Sequence, residues 1–110
     1  MIPTTYINPK ALQLSIIMLR QYRPAIAKLL PGPESYPAIG ADIELSLNSQ
    51  SVSKIIAALN ELGDEWVADA KRKPNETNRN QLRQQCLSFI LDEWIAVGEQ
   101  CQRQLKMSIH

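Results

Sequence analysis

From Leu82 onward the apolar residues fall at Cys86, Phe89, Ile90, Trp94, Val97, Cys101 and Leu105. The steps are three and four, with Phe89 and Ile90 adjacent, which is the recurrence of one helical face. It predicts a helix from Glu76 or Thr77 towards Lys106. A second stripe carries Val52, Ile55, Ile56, Leu59, Leu62, Trp66, Val67 and Ala70. The stretch "SLNSQSVSK" offers it several capping residues, of which Ser49 is the expected N-cap. Gly63 reads either as the stop of a first segment or as a tolerated glycine in one continuous helix, at a cost of about 1 kcal/mol. Pro74 in "KPNETN" separates this helix from the next.

The first helix begins at Asn8-Pro9, a capping residue followed by proline at the first helical position. Its apolar residues are Leu12, Ile16, Leu19, Ile26 and Leu30, widened by Ile17, Met18 and Leu29. Pro24 is expected to kink the helix or split it near Tyr22-Arg23, and "PGP" at 31–33 ends it.

Two stretches do not read as helix. "MIPTTYI" is an extended, linker-like lead. Ile39, Ala41, Ile43, Leu45 and Leu47 alternate in the manner of a strand. A lone strand leaves its backbone groups unpaired unless a partner molecule supplies the ladder. Ile39, Ile43 and Leu47 also fit a helical stripe, and between helical neighbours a loop with a short helix is expected. The sum is one all-α domain over residues 1–110, with 1–7 as the lead. It is a small bundle of three long helices, or of four or five if the first splits and 35–47 forms a turn. Leu, Ile and Ala dominate, Val is scarce, and the chain has one Phe, three Tyr and two Trp. The core is therefore aliphatic and the balance favours helix over sheet.

The tripeptide "DEW" occurs at Asp64-Glu65-Trp66 and at Asp92-Glu93-Trp94. Sliding the chain by 28 residues sets Leu59 on Leu87, Leu62 on Ile90, Trp66 on Trp94 and Val67 on Ile95. Beyond this window the match dissolves. One packing solution used on two facing helices explains it better than duplication does. Each indole N–H then needs a partner. Glu61-x-x-Asp64-Glu65 also resembles half of the metal cage of all-α nucleotide pyrophosphohydrolases. The other half fails, because three residues after Glu93 stands Ala96, and Mg²⁺ needs convergent oxygens.

No other catalytic chemistry presents itself, and no enzyme, cofactor or metal is expected. His110 is the only histidine and the last residue, which removes histidine triads and zinc sites. Cys86 and Cys101 share a predicted helix, fifteen residues and so about 22 Å apart. A disulfide bridges Cα atoms within about 7 Å, so both are expected to be reduced core thiols, suited to the cytoplasm. The apolar stretch Leu14 to Leu19, broken by Ser15, is far too short to cross a bilayer, and Met1-Ile2-Pro3 lacks the basic start of a signal peptide.

Net charge is +1, but its distribution is uneven. Residues 1–33 hold Lys10, Arg20, Arg23 and Lys28 with no acid. Residues 34–70 carry net −6, including Glu61, Glu65 and Asp69 stacked one turn apart, with Asp69–Lys73 relieving only the end. That stripe is either solvated or set against a positive surface, the first helix or another subunit. Residues 71–85, "KRKPNETNRNQLRQQ", carry net +4 with three asparagines and three glutamines. Lys71, Arg72 and Lys73 close a helix, where cations are favoured. Arg79 and Arg83 begin one, where they are not, so capping does not explain them. Arginine and amide side chains suit phosphate and sugar contacts without base readout, and few aromatics are available for base stacking. The expected site is Lys71, Arg72, Lys73, Arg79 and Arg83, extended by Arg20, Arg23 and Lys28 if the first helix lies alongside.

A small, cysteine-poor, all-α chain with a basic track resembles the small subunits of CRISPR effector complexes, which act in antiviral defence. The "MIPTTYINP" start is compatible with the internal translation that produces some of them. The resemblance is one of architecture, and no family residue is carried over. It implies a non-catalytic subunit that lines the complex, holds guide RNA or displaced single-stranded DNA by its backbone, and contacts other protein subunits, including copies of itself. The alternative is a protein–protein adaptor or homodimer without nucleic acid, in which the acidic second helix docks on the basic first.

Overall fold

The structure is a computed structural model and describes residues 4–31 and 41–107. A short strand β1 (Thr4–Ile7) leads into α1 (Pro9–Tyr22) and the single turn α2 (Pro24–Ala27). Strand β2 (Ile43–Ser46) is followed by α3 (Ser49–Arg72), a 3₁₀ turn at Pro74–Glu76 and the long α4 (Thr77–Met107). The molecule is mostly helical, with a small two-stranded sheet.

Local chemistry explains the helix boundaries. Asn8 accepts from the N–H groups of Lys10 and Ala11 at 2.9 and 3.4 Å, with Pro9 at the first helical position. Pro24 splits the first predicted helix: α1 ends at Tyr22, and α2 starts on the proline. α3 is capped one residue earlier than expected, by Asn48 rather than Ser49. The Asn48 side chain accepts from Ser51 N–H at 2.8 Å. α3 runs unbroken through Gly63, where a Cβ would meet Leu87 Cδ2 of α4 at 3.0 Å. The glycine leaves room for the Leu87 side chain against the α3 backbone and is accommodated within one continuous helix.

The sheet corrects the sequence reading. Residues 43–46 form a strand, not a loop or helix, and its partner lies within the chain: β1 and β2 pair antiparallel, Thr5 with Leu45 and Ile7 with Ile43. Thr4–Ile7 of the linker-like lead is thus half of the sheet. Thr5, Ile7, Ile43 and Leu45 face the core while Tyr6 and Glu44 face out, the alternation of a half-buried sheet. The short helix expected between 34 and 47 otherwise falls largely on residues 32–40, outside the described residues, as do Gly32-Pro33.

Backbone groups of neighbouring strand residues point to opposite edges. Those of Thr4 and Tyr6 turn away from β2 and meet α4. Gln100 Oε1 accepts from Tyr6 N–H at 3.0 Å, and Gln100 Nε2 donates to Tyr6 C=O at 3.1 Å. Gln104 Nε2 donates to the Thr4 carbonyl. Two glutamines one helical turn apart span about 6 Å, close to the ~6.8 Å between strand residues i and i+2. Their side-chain amides stand in for a third strand and close an edge that would otherwise recruit another chain.

The core lies between α1, α3, α4 and the inner sheet face, built from Leu12, Leu19, Ile55, Leu59, Leu62, Ile90, Trp94 and Val97. Trp94 is fully buried, and its indole N–H donates to Ser15 Oγ at 2.9 Å; Ser15 in turn donates to Ala11 C=O at 2.7 Å. The α4 stripe is rotated from the one expected. Leu87 is buried, whereas Leu82 is 67% exposed and Phe89 and Leu105 are also exposed. Ile17 is 64% exposed on α1, and Val67 of α3 is exposed too. These side chains lie on helix flanks that the neighbouring elements do not cover, and a sequence period cannot tell the covered half of a wide stripe from the open half. Cys101 is buried, Cys86 half-buried, and both are free thiols. Burial pushes the Cys101 thiol above its ordinary pKa, and its Sγ lies 3.7 Å from Leu47 C=O.

Among the described residues the buried Thr5 Oγ1 has no hydrogen-bond partner. An unpaired buried hydroxyl costs about 1–3 kcal/mol. Thr5→Val, which replaces it by a methyl group of similar shape, is expected to raise the unfolding free energy by about 1 kcal/mol. Chemical denaturation checks this; a loss of stability would mean that the hydroxyl is satisfied in solution.

Candidate nucleic-acid interface

The expected basic residues fall into three environments. Lys71 and Arg72 close α3, and Lys73 caps it with its backbone N–H on Asp69 C=O at 3.0 Å. Pro74 cannot continue the helix. The chain makes one 3₁₀ turn, and Thr77 Oγ1 donates to Pro74 C=O at 2.6 Å as α4 begins. The bend is therefore a tight reversal at one pole of the helix pair, and it holds Lys71, Lys73 and Arg79 exposed. Among the described residues none of these three forms an ion pair. Arg72 lies 3.8 Å from Asp69, an exposed pair of the kind that contributes about 0–1 kcal/mol. The partner of Asp69 is thus the Arg72 side chain; Lys73 meets it through the backbone alone. Asn75, Asn78 and Gln81 are exposed around the same bend.

Arg83, one turn into α4, is half-buried. Its guanidinium lies 5.7 Å from the centroid of the Trp66 ring. The other neighbour of Trp66 is Tyr22, edge-on at 5.8 Å and 78°. Arg83 is therefore held against an aromatic pair that joins α1 to α3, a cation–π contact of about 0.5–1 kcal/mol. The two "DEW" tryptophans share a buried position but not a partner. Trp94 is pinned to Ser15 in the core, and Trp66 packs between Tyr22 and Arg83 near the pole.

Arg23 is paired instead with carboxylates of its own chain. It follows Tyr22 at the break between α1 and α2. Its Nη2 donates to Glu65 Oε1 at 2.5 Å, its Nε lies 3.6 Å from Glu61 Oε2, and its Nη1 donates to Tyr22 C=O at 2.8 Å. The hydrogen bond to Glu65 is the main cause that raises the Arg23 pKa, with the charge of Glu65 and then Glu61 adding to it. Two acids of the α3 stripe thus meet a cation of their own chain. Arg20 and Lys28 remain exposed on α1 and just past α2, and the track that Arg23 was expected to join is interrupted at that residue.

Sequence reasoning missed the Tyr22–Trp66–Arg83 stack, the Ser15 acceptor and the two glutamines on β1. Each joins residues far apart in the chain, and only the spacing of Gln100 and Gln104 along one helix face carried a local signal. Among the described residues no group of three His, Cys, Asp or Glu side chains converges as a metal site would require. No described helix is long and apolar enough to cross a membrane. Comparison of the chain with protein-family models, with curated proteins and with solved structures returned no match.

Proposed function

We propose that this chain is a non-catalytic subunit of a nucleoprotein assembly of the CRISPR effector type, holding a nucleic-acid backbone at the α3–α4 bend. The observation that carries the reading is the exposure of Lys71, Lys73 and Arg79 at one reversal of the chain, with no carboxylate of the described residues paired to them. Exposed asparagines and glutamines around them supply neutral hydrogen bonds to phosphate and sugar. Among the described residues no exposed aromatic platform accompanies them at the bend, so contact is to the backbone and sequence-blind. Arg72, Arg20 and Lys28 act as secondary contacts. Arg83 and Arg23 are structural here: one rests on Trp66 and the other binds Glu61 and Glu65.

The test is anisotropy titration of the full chain with an unstructured single-stranded RNA or DNA oligonucleotide across a salt series. The variant Lys71→Glu/Lys73→Glu/Arg79→Glu is expected to bind at least tenfold more weakly. Its log–log salt slope should be smaller by about 2, since each neutralised single-strand phosphate contributes about 0.7. Arg83 is left in place because its loss would also disturb Trp66. Equal affinity and equal slope for variant and parent would overturn the assignment.

A further inference from the structure

A second surface is built by the part of the chain that the 28-residue internal match covers. α3 and α4 run antiparallel, and along their outer side lie two depressions of about 330 and 220 Å³ that share Ile95. The larger is lined by matched pairs from the two helices: Asn60 with Ser88, Asp64 with Asp92, Val67 with Ile95. The repeat therefore does more than fill the core. It places an aspartate and a β-branched aliphatic residue on both walls of one groove. Val67 and Ile95 are 46% and 47% exposed, which is high for aliphatic side chains at a helix–helix seam. Every charged residue lining either depression is an acid, Asp64 and Asp92 in one and Glu99 in the other, and no lysine or arginine lines either.

We propose that this groove seats an amphipathic helix of a partner protein, with aliphatic residues at i, i+3 or i+4 and i+7 and with lysine or arginine along both edges. The geometry is that of a helix laid in a hydrophobic groove. From Ser49 to Val67 the floor spans eighteen residues of α3, about 27 Å, room for a partner helix of five turns. Charge selects the occupant. A second copy docking through the same face would set Asp64, Asp92 and Glu99 against themselves, which is repulsive, whereas basic edges complement them. Along α3 the lining of the two depressions ends at Val67, one turn short of Lys71, and the variants below leave Lys71, Lys73 and Arg79 in place, so failure of this proposal is distinguishable from failure of the nucleic-acid reading.

The test titrates the full chain with two eighteen-residue helical peptides that share one leucine face and differ only in flanks of lysine or of glutamate. The lysine peptide is expected to bind at least tenfold more tightly. Val67→Lys/Ile95→Lys, at two exposed positions, should remove that binding without altering the circular dichroism spectrum. Asp64→Lys/Asp92→Lys should reverse the preference in favour of the glutamate peptide. Equal binding of both peptides, or binding indifferent to these variants, overturns the proposal. So does self-association in sedimentation that Val67→Lys abolishes and the lysine peptide fails to compete, which would give the groove to a second copy.

Discussion

Trp94→Ala is expected to cost about 3–5 kcal/mol of stability, the range for truncating a large buried aromatic side chain. The side chain is fully buried between α1, α3 and α4, so its removal leaves a cavity that those helices cannot all close. Natural domains are stable by about 5–15 kcal/mol, and the variant therefore sits near the edge of folding. The polar half of the effect is separable. Trp94→Phe keeps most of the packing and leaves Ser15 Oγ without its donor. Ser15→Ala strands a buried indole N–H, for about 1–3 kcal/mol. The double variant Trp94→Phe/Ser15→Ala removes both partners and should cost less than the two single changes added, since neither polar group is then left unpaired. Urea unfolding of the parent and these four variants reads this directly. A Trp94→Ala cost below about 1 kcal/mol, or strict additivity in the cycle, would mean that the indole is not where the core closes.

The second large effect concerns the sheet. A two-stranded ribbon of four residues per strand is marginal alone, and here α4 holds its outer edge through Gln100 and Gln104. Gln100→Ala/Gln104→Ala removes three hydrogen bonds, each with a net contribution of about 0.5–1.5 kcal/mol. Because part of the contact is exposed, a total near 2 kcal/mol is expected. The loss should be local. Amide exchange at Tyr6, whose N–H donates to Gln100, should accelerate strongly, while the centres of α3 and α4 keep their protection. The uncovered edge should also promote association at high protein concentration. Unchanged exchange at Tyr6 would show that packing of Ile7 and Ile43 alone holds β1.

These two sites differ in how far they were legible. The helical register around Trp94 follows from steps of three and four, and its burial was expected together with the need for a partner on the indole. That the partner is Ser15, 79 residues away, was not written anywhere near it. The strand at 43–46 shows in its alternation. Its pairing partner is Thr4–Ile7, four residues of a linker-like lead whose local sequence does not point to residues 43–46. The basic bend was legible as composition; which of its cations would remain exposed was not. Arg79 and Arg83 stand one turn apart in the same kind of sequence, yet one is exposed and the other lies on Trp66. Arg23 was grouped with the surface cations and instead closes on Glu61 and Glu65, about forty residues on.

What the sequence determined by itself was everything governed by interactions within a turn or two. This includes the Asn8-Pro9 start, the Pro24 and Pro74 breaks, the three apolar stripes and the uneven charge. Propensity, capping and helical period act over a few residues, so they can be read from a few residues. The tertiary structure alone decided the pairing of β1 with β2, the amides that seal its edge, the burial of Leu87 in place of Leu82, and the allocation of each arginine to solvent, ring or carboxylate. Those outcomes depend on which surfaces meet once the helices pack, and no local stretch of chain carries that information.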